Sequence, residues 1–183
     1  MTDPHNRPVL SDGTVTLRAP IAADVDARLA LGQSIEITQW FGMTPDDMSP
    51  TYTQEHAENW VNRKRDDPLS FIIEADGTLA GSVFLHSVDH KDHRGEIAVG
   101  LLAPAQLGKG IGTRALRLLL THAFDTLGLN RIGLRYLEGN ARARACYEKL
   151  GFQYEGRLRE RACVGGVFKD DLQMGLLARE FIR

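Results

Sequence analysis

The run Gly95-Glu96-Ile97-Ala98-Val99-Gly100-Leu101-Leu102, followed shortly by Leu107-Gly108-Lys109-Gly110-Ile111-Gly112-Thr113, decides how this chain is read. After Glu96 the first run is apolar at nearly every position, which predicts a strand covered on both faces. Pro104 stops it. The second run is rich in glycine and opens a helix from about Ile111 to Leu127. Ala115, Leu116, Leu119, Leu120, Ala123, Phe124 and Leu127 form its apolar stripe, with Arg114, Arg117 and Thr121 opposite. Glycines let backbone approach a ligand closely and take unusual φ angles. A helix N-terminus presents free N–H groups and a partial positive charge. Together they make a cradle for a phosphate or pyrophosphate; the plainer alternative is a glycine turn that only tightens the connection. The loop is no Walker A motif, because no Lys-Ser/Thr follows a final glycine at the required spacing. Nor is it the dinucleotide fingerprint, whose third glycine would fall at Thr113.

Outward from this unit the chain alternates strands and helices. Val15 to Arg18 alternates apolar and polar like a half-buried strand, and Pro20 ends it. Asp24 to Leu31 reads as a helix with Val25 and Leu29 inward, joined by the stem of Arg28. Gly42 to Pro50 is a loop, and a second helix runs from Thr53 to about Arg65 with Trp60 and Val61 on its apolar side. Leu69 to Ala75 and Leu79 to Val88 form a hairpin across Asp76-Gly77. Past the long helix, Arg131 to Leu137 is a strand. Asn140 is an N-cap for a short helix from Ala141 to Leu150, with Gly151 at its end. Phe152 to Arg161 and Phe168 to Leu177 are the last strands, joined through Gly165-Gly166. This order predicts a single α/β domain, residues 1–183, built on a mixed sheet of about seven strands with helices on both faces.

The second chemical motif is Asn140-Ala141-Arg142-Ala143-Arg144-Ala145-Cys146-Tyr147-Glu148-Lys149-Leu150-Gly151-Phe152. A tyrosine hydroxyl stays protonated at neutral pH and can donate to a leaving group. Read alone, the segment is equally a capped amphipathic helix with Tyr147 packed at its end.

The two segments in this order resemble the GNAT superfamily of acetyl-CoA-dependent N-acetyltransferases. The family's loop pattern, Gln/Arg-x-x-Gly-x-Gly/Ala, falls on Leu107 to Gly112. Its later pattern, Asn with Tyr seven residues on and then Glu-Lys-x-Gly-Phe, falls on Asn140 and on Tyr147 through Phe152. The resemblance spans about residues 14 to 178, and the ends of the chain are similar to the RimJ/RimL branch. It implies the acyl-CoA N-acyltransferase fold and acetyl-CoA as co-substrate, with no metal. Gly100, Leu101 and Leu102 would pair with the pantetheine arm. Leu107, Gly108, Lys109, Gly110, Ile111, Gly112 and Thr113 would hold the pyrophosphate. Asn140 would touch the cofactor arm, and Tyr147 would protonate the departing thiolate. Leu107 departs from the family's Gln or Arg, and Gln106 sits one place early; the backbone donors remain.

Acyl transfer also needs a neutral amine, and Glu96 is the candidate general base, read otherwise as a strand-end surface carboxylate. The branch implies a protein or peptide N-terminus as acceptor. A small amine, such as a polyamine, an aminoglycoside or an amino-acid derivative, is the alternative, and a non-catalytic acyl-CoA-binding module is the reading from another class.

Composition agrees with this class. The chain has 183 residues, 43% hydrophobic and 25% charged, which excludes a disordered, collagen-like or disulfide-stapled chain. No apolar run reaches the roughly 18–20 residues that cross a bilayer. The polar start, Met1 to Asn6, lacks a signal-peptide layout, and Cys146 and Cys163 make no disulfide framework. A cytoplasmic protein without membrane or direct nucleic-acid partners, monomeric or homodimeric, is expected. Residues 1–106 hold 8 Lys/Arg and 16 Asp/Glu, whereas residues 107–161 hold 11 and 5. The basic segment carries the expected cofactor half and the acidic one would face a cationic amine; chance clustering on wet faces is the other reading.

Three further features are read as structural. His86, His90 and His93 have metal-like spacing but fall beside a polar loop and suit a solvated hairpin tip. Arg157, Arg159 and Arg161 alternate on one strand without interleaved aromatics and suit a wet sheet face. Trp40, Phe41 and Trp60 either line an acceptor pocket or pack in the core.

Overall fold

In the computed structural model, which describes residues 7–183, the chain forms eight strands and five α-helices. The polar stretch Met1 to Asn6 lies outside the described residues. The strands are β1 (Leu10–Ser11), β2 (Val15–Arg18), β3 (Ser70–Ala75), β4 (Thr78–Asp89), β5 (Arg94–Leu101), β6 (Arg131–Leu137), β7 (Gln153–Val164) and β8 (Val167–Leu177). The helices are α1 (Asp24–Leu31), α2 (Ile35–Thr38), α3 (Gln54–Arg65), α4 (Ile111–Thr121) and α5 (Ala141–Glu148). The strands form one sheet in the order β1-β2-β3-β4-β5-β6-β8-β7. Only β5 and β6 are parallel; the other neighbouring pairs are antiparallel. The strand beyond the expected seven is β1, two residues paired with β2, too short to leave a periodic signal.

The two sheet faces are covered by different helices, as the period-two alternation of strands requires. Val15, Leu17, Phe71, Ile73, Val83, Leu85 and Ile97 join Ala115, Leu116, Leu119 and Leu120 of α4 in the main core. Ile72, on the other face of β3, is fully buried, and α3 buries Ala57 and Val61 on that side. The stripe expected for α4 is buried, but the α-helix ends at Thr121 and a π-helical turn, His122–Thr126, carries Ala123 and Phe124 inward. Among the described residues no helix is long and apolar enough to cross a membrane.

Helix α1 departs from its expected pattern. Val25 and Leu29 are only half-buried, and the buried positions are Asp24 and Arg28. Asp24, 2% exposed, receives both guanidinium arms of Arg18 at 2.8 and 2.9 Å and the Ile21 N–H at 2.8 Å. Arg18 Nε also donates to Glu74 at 2.7 Å, so one side chain ties β2, β3 and α1 together. These carboxylate bonds raise the Arg18 guanidinium above its ordinary value, with burial opposing them. Arg28 lies 4.1 Å from the Tyr52 ring centroid and 5.6 Å from that of Trp60, where burial lowers its pKa. The α1–α3 layer thus grips the segment between the two helices, which holds Trp40 and Phe41. That segment forms α2 and the short 3-10 turn Gln39–Phe41, and within the expected loop Gly42 to Pro50 a further 3-10 turn, Pro45–Asp47.

The Arg18→Leu variant leaves Asp24 buried without its partner. Urea unfolding should show a loss of about 3–5 kcal/mol, the cost of breaking a buried pair from one side. An unchanged midpoint would show that the triad does not hold α1 to the sheet.

Candidate active site

Parallel pairing between β5 and β6 lasts only from Arg94 to Glu96 against Arg131 to Gly133. Beyond Glu96 the two strands part. On its other edge β5 stays paired with β4 from Glu96 to Leu101 without a register shift. The Leu102 N–H donates to the Ala80 carbonyl at 3.0 Å. Neighbouring residues of an antiparallel ladder direct their backbone groups to opposite edges. Gly100 and Leu102 therefore bond toward β4, while Ile97, Val99 and Leu101 present N–H and C=O to the opening. Of the three expected residues only Leu101 has its backbone groups free toward the opening; Gly100 and Leu102 are engaged with β4, and Val99 and Ile97 carry the other free groups. The expectation that β5 is covered on both faces fails for the same reason, since Ala98 to Leu101 are only half-buried.

The opening is a cleft of about 410 Å³. Gly100, Leu101, Leu107, Gly108, Gly110, Ile111, Gly112, Thr113, Asn140 and Tyr147 all line it; Leu102 and Lys109 do not. At its far end stands the N-terminus of α4. Gly108 and Gly110 take φ values of 75° and 78°, the left-handed region that disfavours other residues. The first bond of the helix is Arg114 N–H to Gly110 O, and no side chain caps the end. The N–H groups of Ile111, Gly112 and Thr113 are thus left without helical partners. A Cβ on Gly112 would meet no protein atom within 4 Å. Packing does not demand this glycine, and the open space in front of unpaired donors fits a pyrophosphate. Gln106 does not substitute for the family's loop side chain. Its amide is consumed by the Ala103 N–H at 3.2 Å and the Leu79 carbonyl at 3.1 Å.

Helix α5 forms the second wall. Asn140 Oδ1 accepts from the Ala143 N–H at 3.1 Å, the expected N-cap. Tyr147 is 8% exposed, with its ring 5.8 Å from Tyr136 and 5.9 Å from Phe152. Its hydroxyl has no protein hydrogen-bond partner among the described residues. Burial pushes that hydroxyl far above its ordinary range. Cys146, which lines the same cleft and shares a 3.1 Å hydrogen bond with Thr113, has its thiol pushed up by burial as well.

A second recess of about 310 Å³ adjoins the first and shares Trp40, Phe41, Arg135 and Tyr136 with it. Glu96, His86 and Asp171 line it as well. A Cβ on Gly133 of β6 would stand 3.7 Å from Glu96 Cγ, an ordinary contact, so the Glu96 side chain lies against β6. Arg135 faces Asp171 at 3.7 Å. The basic segment thus contributes Arg142 and Lys149 to the cofactor cleft, while Glu96 gives this recess a carboxylate of its own.

Sequence reasoning missed three groups here. His86 is not at a hairpin tip; it is a strand residue paired with Glu96. Counting back equally from Asp89 and Arg94 sets Ser87 opposite Glu96; the bulge between His86 and Asp89 shifts the register by one and brings His86 there instead. Arg135 and Asp171 come from strands distant in sequence, and no local signal joins them. Trp40 and Phe41 line the recess, whereas Trp60 stacks on Arg28 and Lys64. Arg157, read as part of a wet face, is engaged with Glu138 at 2.7 Å and Asp170 at 3.0 Å.

A family model described as an acetyltransferase (GNAT) domain matches residues 14–153. The "Putative ribosomal N-acetyltransferase YdaF" of Bacillus subtilis (strain 168) is 31% identical over 170 residues, covering 92% of each chain. The spermidine N(1)-acetyltransferase of Escherichia coli (strain K12) is 31% identical over 112 residues, covering 61% of this chain and 60% of that one. Among solved structures, Mycobacterium smegmatis RimJ in complex with CoA-disulfide matches with a TM-score of 0.77 at 28% identity, covering 94% of this chain and 87% of that one. Spermidine N-acetyltransferase from Vibrio cholerae in complex with CoA and spermine matches at 0.73 with 25% identity, covering 92% and 98%.

Filling the space before α4 tests the cradle. The Gly112→Val variant should keep its melting temperature and bind CoA at least about tenfold more weakly by calorimetry, roughly 1.4 kcal/mol. Equal affinity would remove the helix N-terminus from the site.

Proposed function

The chain belongs to the GNAT family of acetyl-CoA-dependent N-acetyltransferases, and we propose that it acetylates the α-amine of a protein or peptide N-terminus. The observation that carries this choice is the charge of the acceptor recess. It holds two carboxylates, Glu96 and Asp171, and Asp171 already faces Arg135. One carboxylate remains for one ammonium group. A polyamine brings several positive charges into the same space, against Arg135. An α-amine also deprotonates at about pH 7.7–8.0, far more readily than an alkyl amine near 10.4.

In this reading the N–H groups of Ile111, Gly112 and Thr113 hold the pyrophosphate, and the open edge of β5 at Val99 and Leu101 pairs with the pantetheine amides. Asn140 borders the same arm. Acetyl-CoA supplies an activated thioester carbonyl. Glu96 takes a proton from the acceptor ammonium, and the freed nitrogen attacks that carbonyl. A backbone N–H on the open edge of β5 stabilises the oxyanion that forms. As the C–N bond closes and the C–S bond breaks, the attacking nitrogen gives up its second proton to solvent, and Tyr147 gives its proton to the sulfur and regains one from solvent. Its raised pKa keeps the hydroxyl protonated at any working pH. Holding both reactants across the shared Phe41–Tyr136 boundary supplies further rate by proximity.

Two measurements test this. CoA release should show a higher kcat/KM for a short peptide with a free N-terminal serine than for spermidine; the reverse order would assign the recess to polyamines. Tyr147→Phe keeps the ring packing and should lower kcat by roughly 10²-fold with unchanged acetyl-CoA affinity. Full activity in that variant would remove Tyr147 from the chemistry.

A further inference from the structure

His86 stands directly across from Glu96 on the β4–β5 ladder, and opposed residues of such a pair project to the same face. Its Nε2 lies 4.0 Å from the Glu96 carboxylate, with the two side chains 38% and 43% exposed. The backbone beside it is irregular. The β4–β5 register shifts between His86 and Asp89, and Ser87 has a φ of 52°. Left-handed non-glycine residues are uncommon, and bulges of this kind re-aim a neighbouring side chain. Ser87 Oγ sits 3.1 Å from His86 Nδ1. With one ring nitrogen engaged there, the other faces Glu96. The Phe84 ring packs 5.6 Å from the imidazole. The remaining charged or titratable groups of the recess are Arg135 and Tyr136 from β6 and Asp171 from β8. Arg135 and Asp171 face each other. Glu96 is left with His86 as the basic side chain within 4.0 Å among the described residues.

We propose that His86 relays the acceptor's proton from Glu96 to solvent. The inference rests on Glu96 being the base. Each turnover begins with an ammonium group, whose proton passes to the Glu96 carboxylate and leaves a neutral amine and a carboxylic acid. The acid must ionise again before the next acceptor arrives. His86 Nε2 takes that proton, restoring the carboxylate, and the imidazolium releases it to water from its exposed edge. Imidazole is the side chain that accepts and releases protons near neutral pH. One bridging water or a side-chain rotation spans the 4.0 Å gap. His86 is thus a positioning and relay residue acting through Glu96.

The test is chemical rescue in the full-length protein. His86→Gln keeps a polar side chain of similar reach beside Ser87 but carries no proton at neutral pH. In weak buffer its kcat should fall roughly tenfold, less than the 10²–10⁴ of a directly acting base. KM for acetyl-CoA and for the peptide should not change, and added imidazole should restore kcat. A purely structural role would be preserved by Gln and insensitive to imidazole. Wild-type kcat in weak buffer, or a deficit that imidazole does not repair, overturns the relay. Glu96→Gln separates the two ideas. If it retains full kcat, the base assignment falls and the relay with it. If it is slow while His86→Gln is not, the base stands and the relay alone falls.

Discussion

Two strands that run parallel for three residues and then part set the constraint on which the rest of the site depends. Backbone N–H and C=O groups inside a protein need partners. Where β6 leaves β5 after Glu96, the far edge of β5 loses them. An extended ligand carrying amides meets that demand, as a missing strand would. The departure also opens the space between α4 and α5 into which the unpaired N–H groups of the α4 N-terminus point. The split thus lines up the open edge of β5, the free N–H groups at the start of α4 and Tyr147 along one cleft. The recess that holds Glu96 adjoins it.

The acceptor side is built from weaker local preferences and stronger long-range ties. The segment between α1 and α3 has little regular structure of its own, so its position comes from what grips it. Arg28, buried between Tyr52 and Trp60, holds one end. The Arg18–Asp24–Glu74 triad anchors α1 to the sheet beneath. At the other end, a Cβ on Gly165 in the β7–β8 turn would stand 3.0 Å from Thr44 Cγ2, and one on Gly42 3.9 Å from Val164 Cγ2. The wall carrying Trp40 and Phe41 is therefore spanned between the α1–α3 layer and the β7–β8 hairpin.

Much of the cofactor half was legible in the sequence because its signals are local. Glycines that need left-handed φ, a helix stripe and an Asn N-cap each declare themselves within a few residues. Which groups on β5 are free was not legible. That depends on the parity of its pairing with β4, so Leu102 was expected where Val99 is found. The acceptor half was less legible still. The stem of Arg28 read as inward and is buried, but the burial of Asp24 has no local signal and follows only once Arg18 is brought beside it. His86 read as a strand-end residue beside a polar loop; that it stands opposite Glu96 depends on the β4 bulge, which apolar periodicity does not reveal. Asp171 and Arg135 meet only because β8 inserts between β6 and β7.

Phe41 belongs to both halves. Its ring rests on the backbone of β5, with Cζ 3.0 Å from where a Cβ on Gly100 would stand, and the residue is 62% exposed. It borders both the cofactor cleft and the acceptor recess. One exposed aromatic surface therefore borders both spaces, and in the proposed reading it meets both ligands. Whatever factor the first to arrive imposes on the affinity of the second, the second must impose on the first. Binding order in this protein is then a matter of kinetics, while the free energy linking its two ligands is one quantity with one sign.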